Sequence, residues 1–169
     1  MASSMGVEFS DDGSLVYFKV NMKELFRVNL ETPGVKSALN EAFKASKELV
    51  PVDTGLMLKS YTMDELSNNS IICYFDRKKI IGQTRKGYKV KNYYPSYLKD
   101  YASRLTWLDL IIKRFYNTLI KNIKQINKKK NNKPIEMDNF KAFWILFLAS
   151  LEKKKKEAKK ELQEQKGGK

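Results

Sequence analysis

The sequence predicts an α+β fold, a small antiparallel sheet with helices packed on one face, plus an extended C-terminal helix. Three observations predict it. Short β-branched and aromatic runs bounded by turn residues fill much of the first half. Apolar residues at three- and four-residue steps fill the second half. A final helix changes from wholly apolar to Lys/Glu-rich part-way along its length. The 169 residues suit one core and an appendage better than two cores. With 42% hydrophobic and 12% aromatic residues, the chain has enough apolar material to offset the entropy of ordering.

Residues 14–20 follow the turn-like Asp11-Asp12-Gly13 and are predicted as a strand. Residues 22–30 suit either a continued strand or a short helix. Thr32 and Pro33 offer a cap and a first helical residue, followed by Val35, Leu39, Ala42, Phe43, Leu49 and Val50 on one face. That spacing predicts an amphipathic helix of about four turns, stopped by Pro51. Residues 56–66 and 70–76 form a predicted hairpin across Ser67-Asn68-Asn69, because asparagine tolerates the left-handed backbone of a tight turn. The second arm is apolar on both faces and is therefore expected at the centre of the sheet, with Cys73 as a small buried hydrophobe. Residues 77–92, basic and containing Gly82 and Gly87, suit a loop or an extended hairpin. From Trp107 to Ile126 the apolar spacing predicts a helix of about five turns.

Lys128 to Pro134 breaks that pattern and reads as a basic linker, 128–135, before a last helix in 136–169 capped by Asp138. Residues 143–149 are apolar around the whole helix, so more than one side needs cover. Phe143, Trp144, Phe147 and Leu148 are accordingly the candidate subunit interface.

Chemistry is restricted by what is missing. Cys73 is the single cysteine and histidine is absent, which excludes intrachain disulfides, thiolate zinc clusters, imidazole metal sites and Ser-His-Asp catalysis. No cofactor, metal or catalytic residue is expected. No apolar stretch approaches the roughly 20 residues of a membrane-spanning helix, and the N-terminus lacks the pattern of a secretory signal. A cytoplasmic site of synthesis and no membrane partner are expected.

The net charge of +14 is concentrated. Between residues 77 and 99 lie Arg77, Lys78, Lys79, Arg85, Lys86, Lys89, Lys91 and Lys99 without one acid, and residues 110–135 carry eight further cations and no acid. The rest of the chain is thus slightly acidic. Segregation of this kind suits a polyanion or an acidic protein partner, and equally a solvated basic face. Arg77, Lys78, Lys79, Arg85, Lys86, Lys89 and Lys91 are the candidate contacts to a partner or to DNA phosphates.

The most distinctive segment is Val50-Pro51-Val52-Asp53-Thr54-Gly55. Pro51 ends a helix, Asp53 can accept from the following backbone amides, and Gly55 supplies a permissive backbone angle. Pro51, Asp53, Thr54 and Gly55 therefore read as a rigid corner between helix and sheet.

This corner resembles the Pro-Val-Asp-Thr-Gly motif of the head-tail joining proteins of tailed bacteriophages, called neck or tail-completion proteins. The helix before it, the Leu58 and Ser60 after it, the run Tyr93-Tyr94-Pro95-Ser96-Tyr97-Leu98 and the segment Arg104-Leu105-Thr106-Trp107-Leu108 are similar to that family's pattern. Asp100-Tyr101-Ala102-Ser103 departs from it, and the last helix is unmatched. The resemblance implies a tail-completion-like α+β domain in residues 1–127 and a non-enzymatic virion protein. It implies a homo-oligomeric ring at the portal-tail junction that connects head to tail, continues the DNA channel, and meets portal or adaptor and tail proteins. Copy number, six or twelve, is open. DNA must slide through such a channel and dense lysines would retard it, so protein docking is the preferred role for the 77–91 loop.

Two rivals come from other classes. A non-sequence-specific nucleic-acid-binding protein would use the clustered lysines with Tyr88, Tyr93, Tyr94 and Tyr97 as stacking groups. A magnesium-dependent nuclease would use Asp53 with Asp76-Arg77-Lys78, an acid followed by acid-x-lysine. Gly82 to Gly87 lacks the ending of a phosphate-binding loop.

Overall fold

The computed structural model describes residues 8–9, 15–50, 59–67, 69–76, 84–85, 88–89, 107–129 and 134–167. In chain order the elements are β1 (Glu8–Phe9), β2 (Leu15–Asn21), α1 (Met22–Phe26), α2 (Val35–Lys47), β3 (Tyr61–Leu66) and β4 (Ser70–Asp76). They continue as β5 (Thr84–Arg85), β6 (Tyr88–Lys89), α3 (Trp107–Asn127) and α4 (Asp138–Gly167). The fold class is α+β, as expected. One sheet has the order β1-β2-β4-β3, antiparallel throughout, and β5 pairs with β6 in a separate two-stranded ribbon.

The double-sided apolar strand β4 does lie between β2 and β3. Its alternation sends Ile71, Cys73 and Phe75 into the core, in register with Val20, Phe18 and Val16 of β2. Tyr61 of β3 is buried opposite Phe75, with the rings stacked 4.7 Å apart. The other face carries Tyr17, Lys19, Thr62, Asp64, Ile72 and Tyr74, none of them fully buried. Among the described residues, helices cover the inner face. Phe115 of α3 meets Phe18 edge-on at 5.5 Å, and Phe43 of α2 meets Tyr61 at 4.7 Å.

The open segment 22–30 resolves as the short helix α1. Asn21 caps it by accepting from the Glu24 amide at 2.9 Å, and Arg27 ends it in the left-handed region at φ 52°. Asn69 holds this corner to the hairpin. At φ 60° it makes the tight turn, its carbonyl accepts from the Met22 amide at 3.1 Å, and its side-chain oxygen accepts from the Leu30 amide at 3.2 Å.

α2 begins later and ends earlier than its sequence suggests. The Val35 amide donates to the Thr32 carbonyl at 3.1 Å, so residues 32–35 form a turn and Gly34, not Thr32, precedes the helix. Gly34 needs its missing side chain twice over. Its φ is 86°, and a Cβ there would sit 3.0 Å from the Ile126 methyl at the far end of α3. At the other end Leu49 and Val50 turn back onto Ser46 and Lys47, stopping the helix at Lys47 before Pro51 is reached. α2 and α3 lie antiparallel, with Asn122 donating to Glu41 at 2.7 Å and Arg114 beside Glu48 at 3.5 Å. The predicted first hairpin arm also begins later, at Tyr61, because Lys59 and Ser60 are helical.

The largest departure concerns the expected division at residues 127 and 135. Asn127 binds both backbone groups of Ile135, accepting from its amide at 2.7 Å and donating to its carbonyl at 3.1 Å, while Ile135 is buried. The end of the presumed linker is therefore a clamp that brings α4 back onto the domain. Phe140, Phe143, Phe147 and Leu151 of α4 are buried, at helical spacing. Phe140 stacks on Phe26 at 5.3 Å, and Tyr116 of α3 lies 5.2 Å from Phe143, 5.7 Å from Phe140 and 6.4 Å from Phe147. The first half of α4 belongs to the core. Only the Lys/Glu half beyond Leu151 is an appendage, about 24 Å long at 1.5 Å per residue.

Candidate interaction surfaces

Three groups of residues are candidates for function, and the structure treats each differently. The corner motif Pro51, Asp53, Thr54 and Gly55 lies outside the described residues. Its two flanks are described, and they are joined. Ser46 near the end of α2 donates its hydroxyl proton to the Phe43 carbonyl at 2.8 Å. With that proton committed, the Tyr61 hydroxyl at the start of β3 donates to Ser46 at 2.8 Å. Burial pushes both the Tyr61 hydroxyl and the Cys73 thiol far above their ordinary ionisation ranges, so both stay protonated. Cys73 has no exposed surface. It is a buried structural thiol, and not a nucleophile.

The basic residues divide. Arg77, Lys78, Lys79, Lys86 and Lys91 lie outside the described residues, while Arg85 and Lys89 are in the β5–β6 ribbon, where Arg85 pairs with Tyr88 and Lys89 with Thr84. Part of the second basic stretch is better defined. Arg114, Lys121 and Lys124 of α3 and Lys128 just past its end are exposed and recur at seven, three and four residues, on the side opposite buried Ile112, Phe115, Leu119 and Ile123. Arg114 is tied to Glu48. The lysines form an outward row which no acid of α3 interrupts, since Asp109 is buried near the start of the helix.

The candidate subunit interface requires correction. Phe143 and Phe147 are buried in the chain's own core, and Trp144 and Leu148 are half-buried against it. Tyr116 and the neighbouring aromatic rings occupy them, so these four side chains are not a free interface. The exposed apolar residues in the first half of the same helix are Ala142, Ile145, Leu146 and Ala149, with Ile145 at 69% and Leu146 at 57% exposure. A groove of about 440 Å³ runs alongside, with Ile120, Lys124, Met137, Trp144 and Ile145 among its lining residues. An all-apolar run conceals which side is inward. Only the position of Tyr116 and Phe26 decides it.

No family model, curated protein or solved structure matches this chain.

The arrangement therefore has to speak through its own chemistry. Among the described residues no group of three or more His, Cys, Asp or Glu side chains could hold a metal ion. Asp76, one half of the acid pair a nuclease would use, ends β4, and Asp53 lies outside the described residues. Among those residues, too, no helix is long and apolar enough to cross a membrane. What the described surface offers is contact: an apolar ridge on α4, the adjoining groove and a lysine row on α3.

Proposed function

We propose that this protein is a structural subunit of a tailed-phage virion, forming a ring at the head-tail junction that connects head to tail and continues the DNA channel. The observation that carries the proposal is the buried Ser46–Tyr61 hydrogen bond. It holds the end of α2 against the start of β3, the two flanks of the Pro51-Val52-Asp53-Thr54-Gly55 corner whose sequence resembles the family motif. A subunit held stiffly at that corner is a wedge whose angle is reproducible from copy to copy, as closure of a ring demands. The role is assembly rather than catalysis. Portal or adaptor and tail proteins are its neighbours in the virion, and the lysine row of α3 is a surface for an acidic neighbour.

The lysine row also supports a second reading, a protein that binds nucleic acid without reading sequence. One experiment separates the two. Gold-labelled antibody against this chain, applied to tailed-phage particles that encode it, is expected to mark the junction of head and tail. Labelling absent from particles, together with DNA binding by the purified chain that weakens steeply with salt, would favour the second reading over the first.

A further inference from the structure

The outer face of α4 has a palindromic pattern. Asp138, Ala142, Ile145, Leu146, Ala149 and Lys153 are all exposed, and they follow one another at steps of four, three, one, three and four residues. At about 100° per residue the six lie in one stripe roughly 100° wide, opposite the buried Phe140, Phe143, Phe147 and Leu151. Read from either end, side-chain character repeats inward from the termini of the stripe: a charge, an alanine, a branched aliphatic. Only the sign of the charge changes, acid at one end and base at the other.

A surface of that kind is complementary to itself. We infer that two copies of this chain pair through it, α4 against α4 and antiparallel, about a two-fold axis between Ile145 and Leu146. Ile145 then meets the partner's Leu146, and Leu146 the partner's Ile145, at the centre, removing from water the two most exposed large apolar side chains among the described residues. Ala142 faces the partner's Ala149, and these small residues let the two helix backbones approach closely. Asp138 meets the partner's Lys153 at one end, and symmetry repeats the pair at the other. In a parallel arrangement the same stripe would set Asp138 against Asp138 and Lys153 against Lys153, so the charges also select direction.

The pairing does not rest on the phage reading. A two-fold contact closes on two copies, whereas a ring needs a head-to-tail contact through other surfaces. Sedimentation of the full chain over a concentration series is the test. The expected result is a reversible dimer that becomes monomeric in Ile145→Glu/Leu146→Glu with an unchanged circular dichroism spectrum. Lys153→Glu should weaken association by about tenfold, since two attractions per dimer become repulsions, and Asp138→Lys/Lys153→Glu should restore it. As a second readout, Ile145→Cys should oxidise to a covalent dimer, with Cys73 too buried to take part. A chain that is monomeric throughout and gives no covalent dimer overturns the inference. Association indifferent to the Ile145/Leu146 change, or a charge swap that fails to restore it, does so as well.

Discussion

A chain ended after Met137 is expected to lose its cooperative fold. The truncation removes Phe140, Phe143, Phe147 and Leu151, all buried. Each such side chain stabilises the folded state by about 1.5–3 kcal/mol, so the loss rivals the roughly 5–15 kcal/mol of a whole domain. It also uncovers Phe26 and Tyr116, whose rings lie against α4. The shortened chain should retain helical far-ultraviolet circular dichroism but lose the near-ultraviolet signal of packed aromatics, and should expose dye-binding apolar surface. Ending the chain after Leu151 instead removes the Lys/Glu half alone. That variant should unfold in urea within about 0.5 kcal/mol of the full chain. If the Met137 truncation unfolded as cooperatively as the parent, α4 would be an appendage from its first residue and the core described above would be wrong.

Tyr116→Ala should be among the most damaging single substitutions. Tyr116 is almost completely buried and lies against five rings, those of Phe115, Phe140, Phe143, Trp144 and Phe147. It is the contact through which α3 and α4 share one core. Removing an aromatic ring from such a site costs about 3–5 kcal/mol, lost burial plus the cavity left behind. For a chain of this size that lowers the thermal midpoint by roughly 6–20 °C. Measured at a concentration where the chain is monomeric, Ile145→Ala, two residues from buried Phe143 and Phe147 but 69% exposed, should change it hardly at all. The contrast between the two variants distinguishes the inner from the outer side of α4 by calorimetry alone.

Much of the fold was legible in the residues, and the failures share a cause. β4 declared its central place through apolar residues on both faces, and Asn69 declared the turn through its tolerance of positive φ. Local chemistry sufficed there. The start of α2 lies beyond Thr32 and Pro33, which satisfy the local rules for a helix start, because Gly34 is selected by Ile126, distant in sequence. The same holds for α4. Between residues 143 and 149 every side of the helix is apolar, so periodicity carries no direction, and the inward face was set by Phe26 and Tyr116 on other elements. Asn127 looked like one more polar residue at a helix end, yet its amide matches the backbone of Ile135 and turns an expected linker into part of the core. Of the candidate sites, the flanks of the corner were foreseeable only in part. Pro51 announces that a helix must end, but the Ser46–Tyr61 hydrogen bond that joins helix to sheet depends on strand pairing.

The assembly role is tested most directly by cryo-electron microscopy of the purified full chain, alone and with the portal complex of its phage. Class averages showing closed rings of identical wedges, seated coaxially on the portal, are the expected result. Solitary molecules in both samples, with no copy bound to the portal, would contradict it.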